Sequence, residues 1–286
     1  VTIPLPVPLV STDWLATHLG QGGLVVLDGS WYLATMGRDP RAEYLAAHIP
    51  GAVFFDLEAH SEQGSSLPHM LPDPAEAARR LGELGISNSD AVVAYDGSGN
   101  NLSAARVWWH LKVLGHDRVA VLDGGFQRWR AEGRPVESGE VSRARTTFTS
   151  TFRPELVRSF DQVRAAVGTA SIALLDARAA GRFEGRDPEP RPGIRGGHVP
   201  GAKNLPYGQV VAGDGTVLPL AELAERFRSA GVDLDKPVIL SCGSGVSAAA
   251  LALALDLLGH RRYAIYDGSW TEWGGRDDAP IETGPP

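Results

Sequence analysis

The only cysteine of the 286-residue chain, Cys242, lies in Val238-Ile-Leu-Ser-Cys-Gly-Ser-Gly-Val-Ser247. The apolar run Val238–Ser241 reads as a buried strand, and the stretch from Ser247 to Leu258 reads as a helix. Cys242 therefore falls at the C-terminal end of a strand and just ahead of a helix, the edge at which open α/β sheets bind ligands. Gly243, Ser244 and Gly245 are small enough for the backbone to curl and turn several N–H groups inward. The following helix adds the positive end of its dipole. Such surroundings favour a thiolate, the reactive form of cysteine. A buried inert thiol, the commoner fate of a free cysteine, needs no glycine-rich loop at a strand-to-helix switch.

Three cysteine chemistries use loops of this kind. A tyrosine-phosphatase loop needs C-x5-R, with the arginine holding the phosphate. Here the sixth residue after Cys242 is Ala248, which argues against that chemistry. A cysteine–histidine hydrolase needs a base and an oxyanion hole on another arrangement of loops. In sulfur transfer the thiolate attacks a sulfur atom and becomes a persulfide, whose negative charge would sit in the same N–H cradle.

The elements that must position this loop occur twice. Leu24-Val-Val-Leu-Asp28 matches Ala173-Leu-Leu-Asp176, and His48-Ile-Pro-Gly-Ala52 matches His198-Val-Pro-Gly-Ala202. Leu114-Gly-His116 matches Leu258-Gly-His260, and Asp123-Gly-Gly-Phe-Gln-Arg-Trp129 matches Asp267-Gly-Ser-Trp-Thr-Glu-Trp273, all at offsets of 144 to 150. A repeat of domain length means two similar domains. Short apolar runs alternate with helical stretches at Phe160–Val167, Leu220–Ala230 and Ser247–Leu258, so the expected class is α/β, each domain a parallel sheet with helices on both faces. The expected division is a first domain over 1–140, a polar linker over 141–156 and a catalytic domain over 157–286.

Residues present in both copies, such as His48/His198, His116/His260 and Trp129/Trp273, are expected to maintain the fold. Residues in one copy only are better candidates for chemistry. Opposite the Cys242 loop the first copy reads Asp96-Gly-Ser-Gly-Asn-Asn-Leu-Ser103, two residues longer. A carboxylate cannot act as the same nucleophile, so the first domain is expected to be silent.

Composition bounds the rest. A hydrophobic fraction of 43% and a charged fraction of 21% exclude a disordered chain. The net charge of -7 argues against a nucleic-acid partner. No apolar run approaches the ~18 residues of a membrane span, and the stretch Val1–Val10, with three prolines and no basic flank, is unlike a secretory signal. One cysteine excludes an internal disulfide and a cysteine metal cluster, and the eight histidines form no H-E-x-x-H pair. The expectation is a cytoplasmic protein without metal or cofactor.

Together these pieces resemble the tandem-domain sulfurtransferases of the rhodanese superfamily, and among them the 3-mercaptopyruvate sulfurtransferases. The resemblance rests on Leu27-Asp-Gly-Ser-Trp31, His48-Ile-Pro-Gly-Ala-Val-Phe-Phe-Asp56, Pro68-His-Met-Leu71, Asp176-Ala-Arg178 with Gly181-Arg-Phe183, Pro188-Glu-Pro-Arg-Pro-Gly193, Gly197-His-Val-Pro-Gly201 and Cys242-Gly-Ser-Gly-Val-Ser247. It implies two rhodanese-like α/β domains with the active site in the second one's loop. The nucleophile would be Cys242. Arg182 and Arg191 would hold the substrate carboxylate, a task suited to paired guanidinium groups. Arg182 stands opposite Ala34 and Arg191 opposite Arg41 when the copies are aligned by offset. Ser244, His69 and Glu58 would handle a proton, Glu58 standing where the family usually has Asp. Gly243, Gly245, Val246 and Ser247 would complete the substrate-binding loop, Ser247 replacing the family's usual Thr.

The activity so implied is transfer of sulfur from 3-mercaptopyruvate through a Cys242 persulfide to a thiol such as thioredoxin, or to cyanide, with release of pyruvate. A thiosulfate:cyanide sulfurtransferase on the same scaffold is the nearest alternative, and a non-catalytic persulfide carrier is another. Thiosulfate enzymes of the family commonly carry Arg and Lys directly after the cysteine. Here those positions are the neutral Gly243 and Ser244, which favours mercaptopyruvate.

Overall fold

In the computed structural model, which describes residues 3–286, the two copies build two sheets of the same topology. The first contains β1 (Leu9–Val10), β2 (Leu24–Asp28), β3 (Val53–Phe54), β4 (Ala91–Tyr95) and β5 (Val119–Leu122), in the order β1-β5-β4-β2-β3. The second contains β6 (Val157–Arg158), β7 (Ala173–Asp176), β8 (Lys203–Asn204), β9 (Val238–Ser241) and β10 (Tyr263–Tyr266), in the order β6-β10-β9-β7-β8. Every pairing is parallel, and Cys242's strand β9 is the central one, between β7 and β10. All residues of β2, β4 and β9 are buried, as continuous apolar strands must be when both faces of a parallel sheet are covered.

The covering helices of the first unit are α1 (Thr12–His18), α2 (Pro40–Ala46), α3 (Pro74–Glu83), α4 (Leu102–Val113) and α5 (Gly125–Ala131). Those of the second are α6 (Phe160–Ala166), α7 (Ala180–Phe183), α8 (Leu220–Ser229), α9 (Ala248–Leu257) and α10 (Ser269–Gly275). Several starts are written locally. Asp39 and Asp73 cap α2 and α3, each with proline at the first helical position, and Ser159 with Gln162 forms a capping box on α6.

Two of the three shared pairs, Trp129/Trp273 and His48/His198, are built into the cores of both units, whereas His116 is buried and His260 only partly so. Trp129 and Trp273 are fully buried, and their indole N–H groups donate to Pro135 O and Pro280 O, each at 2.7 Å. His48 and His198 are buried, with Nδ1 at 2.8 Å from Tyr44 O and 2.9 Å from Phe183 O.

The chain divides into two compact units whose boundaries do not follow chain order. The first takes the chain up to Gln63, Leu71–Arg153 and Ala212–Val217; the second takes Gly64–Met70, Pro154–Val211 and Leu218–Pro286. The polar stretch read as a linker from residue 141 is attached to the first unit as far as Arg153. Thr146 N–H donates to Gly82 O at 2.9 Å, Thr151 N–H to Leu114 O at 2.9 Å and Arg153 N–H to Val113 O at 2.8 Å. Gly82 permits this approach, because a Cβ there would lie 2.6 Å from Thr146 O. Backbone pairing of this kind leaves no mark on composition.

Candidate active site

Cys242 follows β9 directly and is 1% exposed. Its backbone is fastened by the start of α10. Cys242 N–H donates to Ser269 Oγ at 3.2 Å, and Cys242 O accepts from Trp270 N–H at 2.9 Å. Gly243 O accepts from Thr271 N–H at 2.9 Å and from Thr271 Oγ1 at 2.7 Å. Gly245 then turns the chain with φ of 78°, a left-handed conformation suited to glycine. Val246 is buried, and Ser247 leads into α9 without a side-chain cap. The loop thus sits at the amino end of a ten-residue helix.

Ser244 is 4% exposed, and its hydroxyl lies 2.9 Å from Nδ1 of the buried His69. His69 comes from the first copy's sequence, yet the segment Gly64–Met70 that carries it belongs to the second unit. Its backbone has φ of 59°, unusual for a residue with a side chain.

Arg182, on α7, lies against the same loop: a Cβ on Gly243 would be 3.1 Å from its Nη2. Its guanidinium is held by Glu189, with Nη2 donating to Oε2 at 2.5 Å and Nε to Oε1 at 3.3 Å. Glu189 also takes Arg178 Nη1 at 2.7 Å. Arg178, fully buried, grips Asp176 with Nε and Nη2, donates to Gly197 O at 2.8 Å and stacks over the Trp270 ring at 4.3 Å. A charge chain Asp176–Arg178–Glu189–Arg182 therefore fixes the arginine that faces the loop. Sequence reasoning gave no role to Asp176, Arg178 or Glu189, although all three lie inside its quoted motifs.

Arg191 is partly exposed, two residues beyond Glu189. Glu58 belongs to the first unit, where Trp31 Nε1 donates to its Oε1 at 2.9 Å. The structure thus brings Cys242, Gly243, Ser244, Gly245, Val246, Ser247, His69 and Arg182 together within the second unit.

The first unit contains an answering arrangement. Asp96 is fully buried at the end of β4, and its Oδ1 accepts from Ser98 N–H at 2.8 Å and from Ser98 Oγ. Its Oδ2 accepts from Ala104 N–H at 2.8 Å, in the first turn of α4. Arg38 pairs with Glu43 and donates to Gly97 O at 3.1 Å. The alignment of Arg182 with Ala34 is corrected: Tyr44 and Phe183 stack on His48 and His198 and offer their carbonyls to Nδ1 in the same way, which puts Glu43 at the place of Arg182, with Arg38 supplying the guanidinium near the loop glycine.

A sequence model described as the Rhodanese-like domain matches residues 11–132 and 159–276. The chain belongs to the rhodanese family. Among its relatives, the 3-mercaptopyruvate sulfurtransferase of Escherichia coli (strain K12) is 42% identical, with 96% of this chain and 97% of that protein covered. The Arabidopsis thaliana "Thiosulfate/3-mercaptopyruvate sulfurtransferase 1, mitochondrial" is 46% identical over 96% of this chain and 78% of its own length. The thiosulfate sulfurtransferase of Bos taurus is 43% identical over 96% of this chain and 94% of its own length. The crystal structure of SseA, an Escherichia coli 3-mercaptopyruvate sulfotransferase, aligns with a TM-score of 0.84 at 39% identity, covering 92% of this chain and 98% of that one. The rhodanese chain is a sulfurtransferase with two tandem α/β domains, as its sequence implied. Among the described residues, no helix is long and apolar enough to cross a membrane and no group of His, Cys, Asp and Glu is placed to hold a metal.

Proposed function

We propose that this rhodanese transfers sulfur from 3-mercaptopyruvate to a thiol, with Cys242 as the carrier and pyruvate as the first product. The observation that carries the reading is the neutral loop Cys242-Gly-Ser-Gly with the Ser244–His69 pair at 2.9 Å and the Arg182 guanidinium against Gly243. The Cys242 thiolate attacks the donor sulfur, the S–S bond forms and the donor's C–S bond breaks. Its electron pair passes to the three-carbon fragment, which leaves as the enolate of pyruvate. Ser244 Oγ–H gives that carbon a proton and is re-protonated through His69, a general-acid role. Glu58 is proposed to support His69 in the place of the family's Asp, and Arg182 with Arg191 to grip the substrate carboxylate. A thiol, such as that of a thioredoxin, then attacks the outer sulfur of the persulfide and returns the Cys242 thiolate, in a ping-pong scheme. The first domain, with Asp96 in place of a nucleophile, takes no part in the covalent steps. A reducing compartment, cytoplasmic in the simplest case, suits a lone reactive cysteine.

Thiosulfate is the second donor to consider, since a thiosulfate sulfurtransferase stands among the relatives. It is a dianion that leaves as sulfite, and it needs positive charge beside the sulfur but no added proton. Gly243 and Ser244 provide none, and each missing charge contact costs ~1.5–3 kcal/mol of transition-state binding. Pyruvate release from mercaptopyruvate and thiocyanate formation from thiosulfate, measured with one acceptor at fixed pH, test the choice. A kcat/KM at least about tenfold higher for mercaptopyruvate is expected. Equal values, or a higher value for thiosulfate, refute it; absence of both activities would leave the carrier reading in its place.

A further inference from the structure

The two loops share a backbone clasp, Phe126 N–H on Asp96 O at 3.0 Å and Trp270 N–H on Cys242 O at 2.9 Å, but differ in the side chains that hold them. In the first unit the side chain of Asp96 holds its own loop from within, accepting N–H groups from Ser98 and Ala104. A sulfur at that place is a weak acceptor and cannot do this. In the second unit the loop is fastened from outside, by Ser269 Oγ on Cys242 N–H and Thr271 Oγ1 on Gly243 O. The counterparts of these residues at the offset of 144 are Gly125, which has no side chain, and Gln127, whose Nε2 reaches Gly97 O only at 3.4 Å against 2.7 Å for Thr271 Oγ1 on Gly243 O.

Ser269 is the more telling of the two. It is fully buried and has φ of 49°, while Gly125 has φ of 56°. Glycine takes that backbone freely, and a serine does not. The hydroxyl accepts from Cys242 N–H at 3.2 Å and donates to Tyr266 O at 2.7 Å, so both of its hydrogen-bonding roles are used.

The peptide plane turns these bonds into a direction. In a trans peptide the C=O and the following N–H point opposite ways. Trp270 N–H draws Cys242 C=O toward α10, so Gly243 N–H points away from α10. Thr271 draws Gly243 C=O the same way, so Ser244 N–H also points away. Flipping either peptide would turn a carbonyl, the wrong end of the dipole, into the cradle that should receive an anionic sulfur.

We propose that Ser269 and Thr271 are positioning residues for sulfur transfer: Ser269 Oγ fixes the Cys242 backbone by holding its N–H, and Thr271 Oγ1 holds Gly243 C=O so that the Ser244 N–H is turned inward. The inference rests on Cys242 as the sulfur carrier.

The test uses Ser269→Gly, Thr271→Val, the double variant and Thr271→Ser in the full chain. Ser269→Gly removes the hydroxyl and relieves the backbone, so its melting temperature is expected to equal or exceed the parent's. The alkylation rate of Cys242 by iodoacetamide at pH 7 is expected to fall about two- to tenfold in each hydroxyl-free single variant and further in the double, with the pH profile displaced upward. The kcat for pyruvate release should fall in step while KM stays within about twofold, because the carboxylate grip of the arginines is untouched. Thr271→Ser should restore the parent values. A folded double variant with unchanged alkylation and kcat overturns the proposal. So does Thr271→Ser behaving like Thr271→Val. A parent whose Cys242 neither alkylates nor acquires sulfur would instead overturn the sulfur-carrier reading itself.

Discussion

The loops after β4 and β9 occupy the same place in two sheets of the same topology, yet one opens on a carboxylate that is bonded to its own loop and the other on a thiol. The Asp96 carboxyl oxygens accept from the N–H groups of its loop and of the first turn of α4. In the proposed reaction the Cys242 loop receives a charge that arrives with the substrate. The arginine–glutamate pair over the loop glycine survives in both units, as Arg38–Glu43 and Arg182–Glu189. Chemistry therefore separates the units at a few positions: Asp96 against Cys242, Ser30 against Arg178, and Gly125 and Gln127 against Ser269 and Thr271.

The comparison breaks most severely at the nucleophile. Cys242→Ser is expected to abolish turnover and persulfide formation while the fold remains, because this cradle does not ionise a serine hydroxyl at neutral pH. Mass spectrometry after mercaptopyruvate addition should find an added sulfur atom on the parent only; an adduct on the variant would contradict the assignment.

A second contrast concerns the carboxylates that end β2 and β7. Asp176 is paired with Arg178, whereas Asp28 has uncharged donors, the Tyr95 hydroxyl and Ser30, whose N–H and hydroxyl donate to its Oδ1 at 3.0 and 2.5 Å. Burial, the largest influence, pushes the Asp28 carboxyl up to about 6 from an ordinary 3.8. The folded state then holds this proton more tightly than the unfolded chain, so stability is lost as pH rises from about 4 to about 6. The loss amounts to about 3 kcal/mol at neutral pH. Asp28→Asn keeps an acceptor for Ser30 and removes the titration. Its urea midpoint should exceed the parent's at pH 7.5 and converge with it near pH 4; a constant difference across that range would reject this account.

Removing one cation at a time sharpens the substrate side. Arg182→Ala and Arg191→Ala should each lose ~1.5–3 kcal/mol of transition-state binding, roughly 10–150-fold in kcat/KM for mercaptopyruvate. Unchanged kinetics in both would place the carboxylate elsewhere. The smallest expected effect is on donor choice. Gly243→Arg combined with Ser244→Lys should move the ratio of kcat/KM values toward thiosulfate by about tenfold or less per added charge. It should also weaken mercaptopyruvate use, since a side chain at 243 presses on Arg182, 3.1 Å from the new Cβ.

Much of this was readable from residues alone. The repeat of apolar runs and turn motifs foretold two like α/β domains, and small residues at a strand-to-helix switch marked Cys242. His69 was reachable only through family resemblance, because its place depends on how residues 64–70 are shared between the units, and no spacing records that. Arg178 and Glu189 were overlooked because an Asp-Ala-Arg triplet and a Pro-Glu-Pro turn become one charge chain only after folding. Arg182 was set opposite Ala34 because gaps between matched segments shift numbering without shifting place.

The assignment of Ala212–Val217 to the first unit carries a consequence for the order in which the protein can be made. Asn101 Nδ2 donates to Gly215 O at 3.1 Å, and Asp123 Oδ1 accepts from Val217 N–H at 2.8 Å. During synthesis both groups wait, without those partners, until some sixty residues beyond Arg153 have left the ribosome. The first unit can assemble its sheet early, but it is finished only by residues from the second copy's stretch of chain. His69, made early, waits in the same way for the Ser244 hydroxyl. The gene order of the two halves therefore does not translate into two independent folding events, and a nascent chain stopped between the copies is incomplete on both counts.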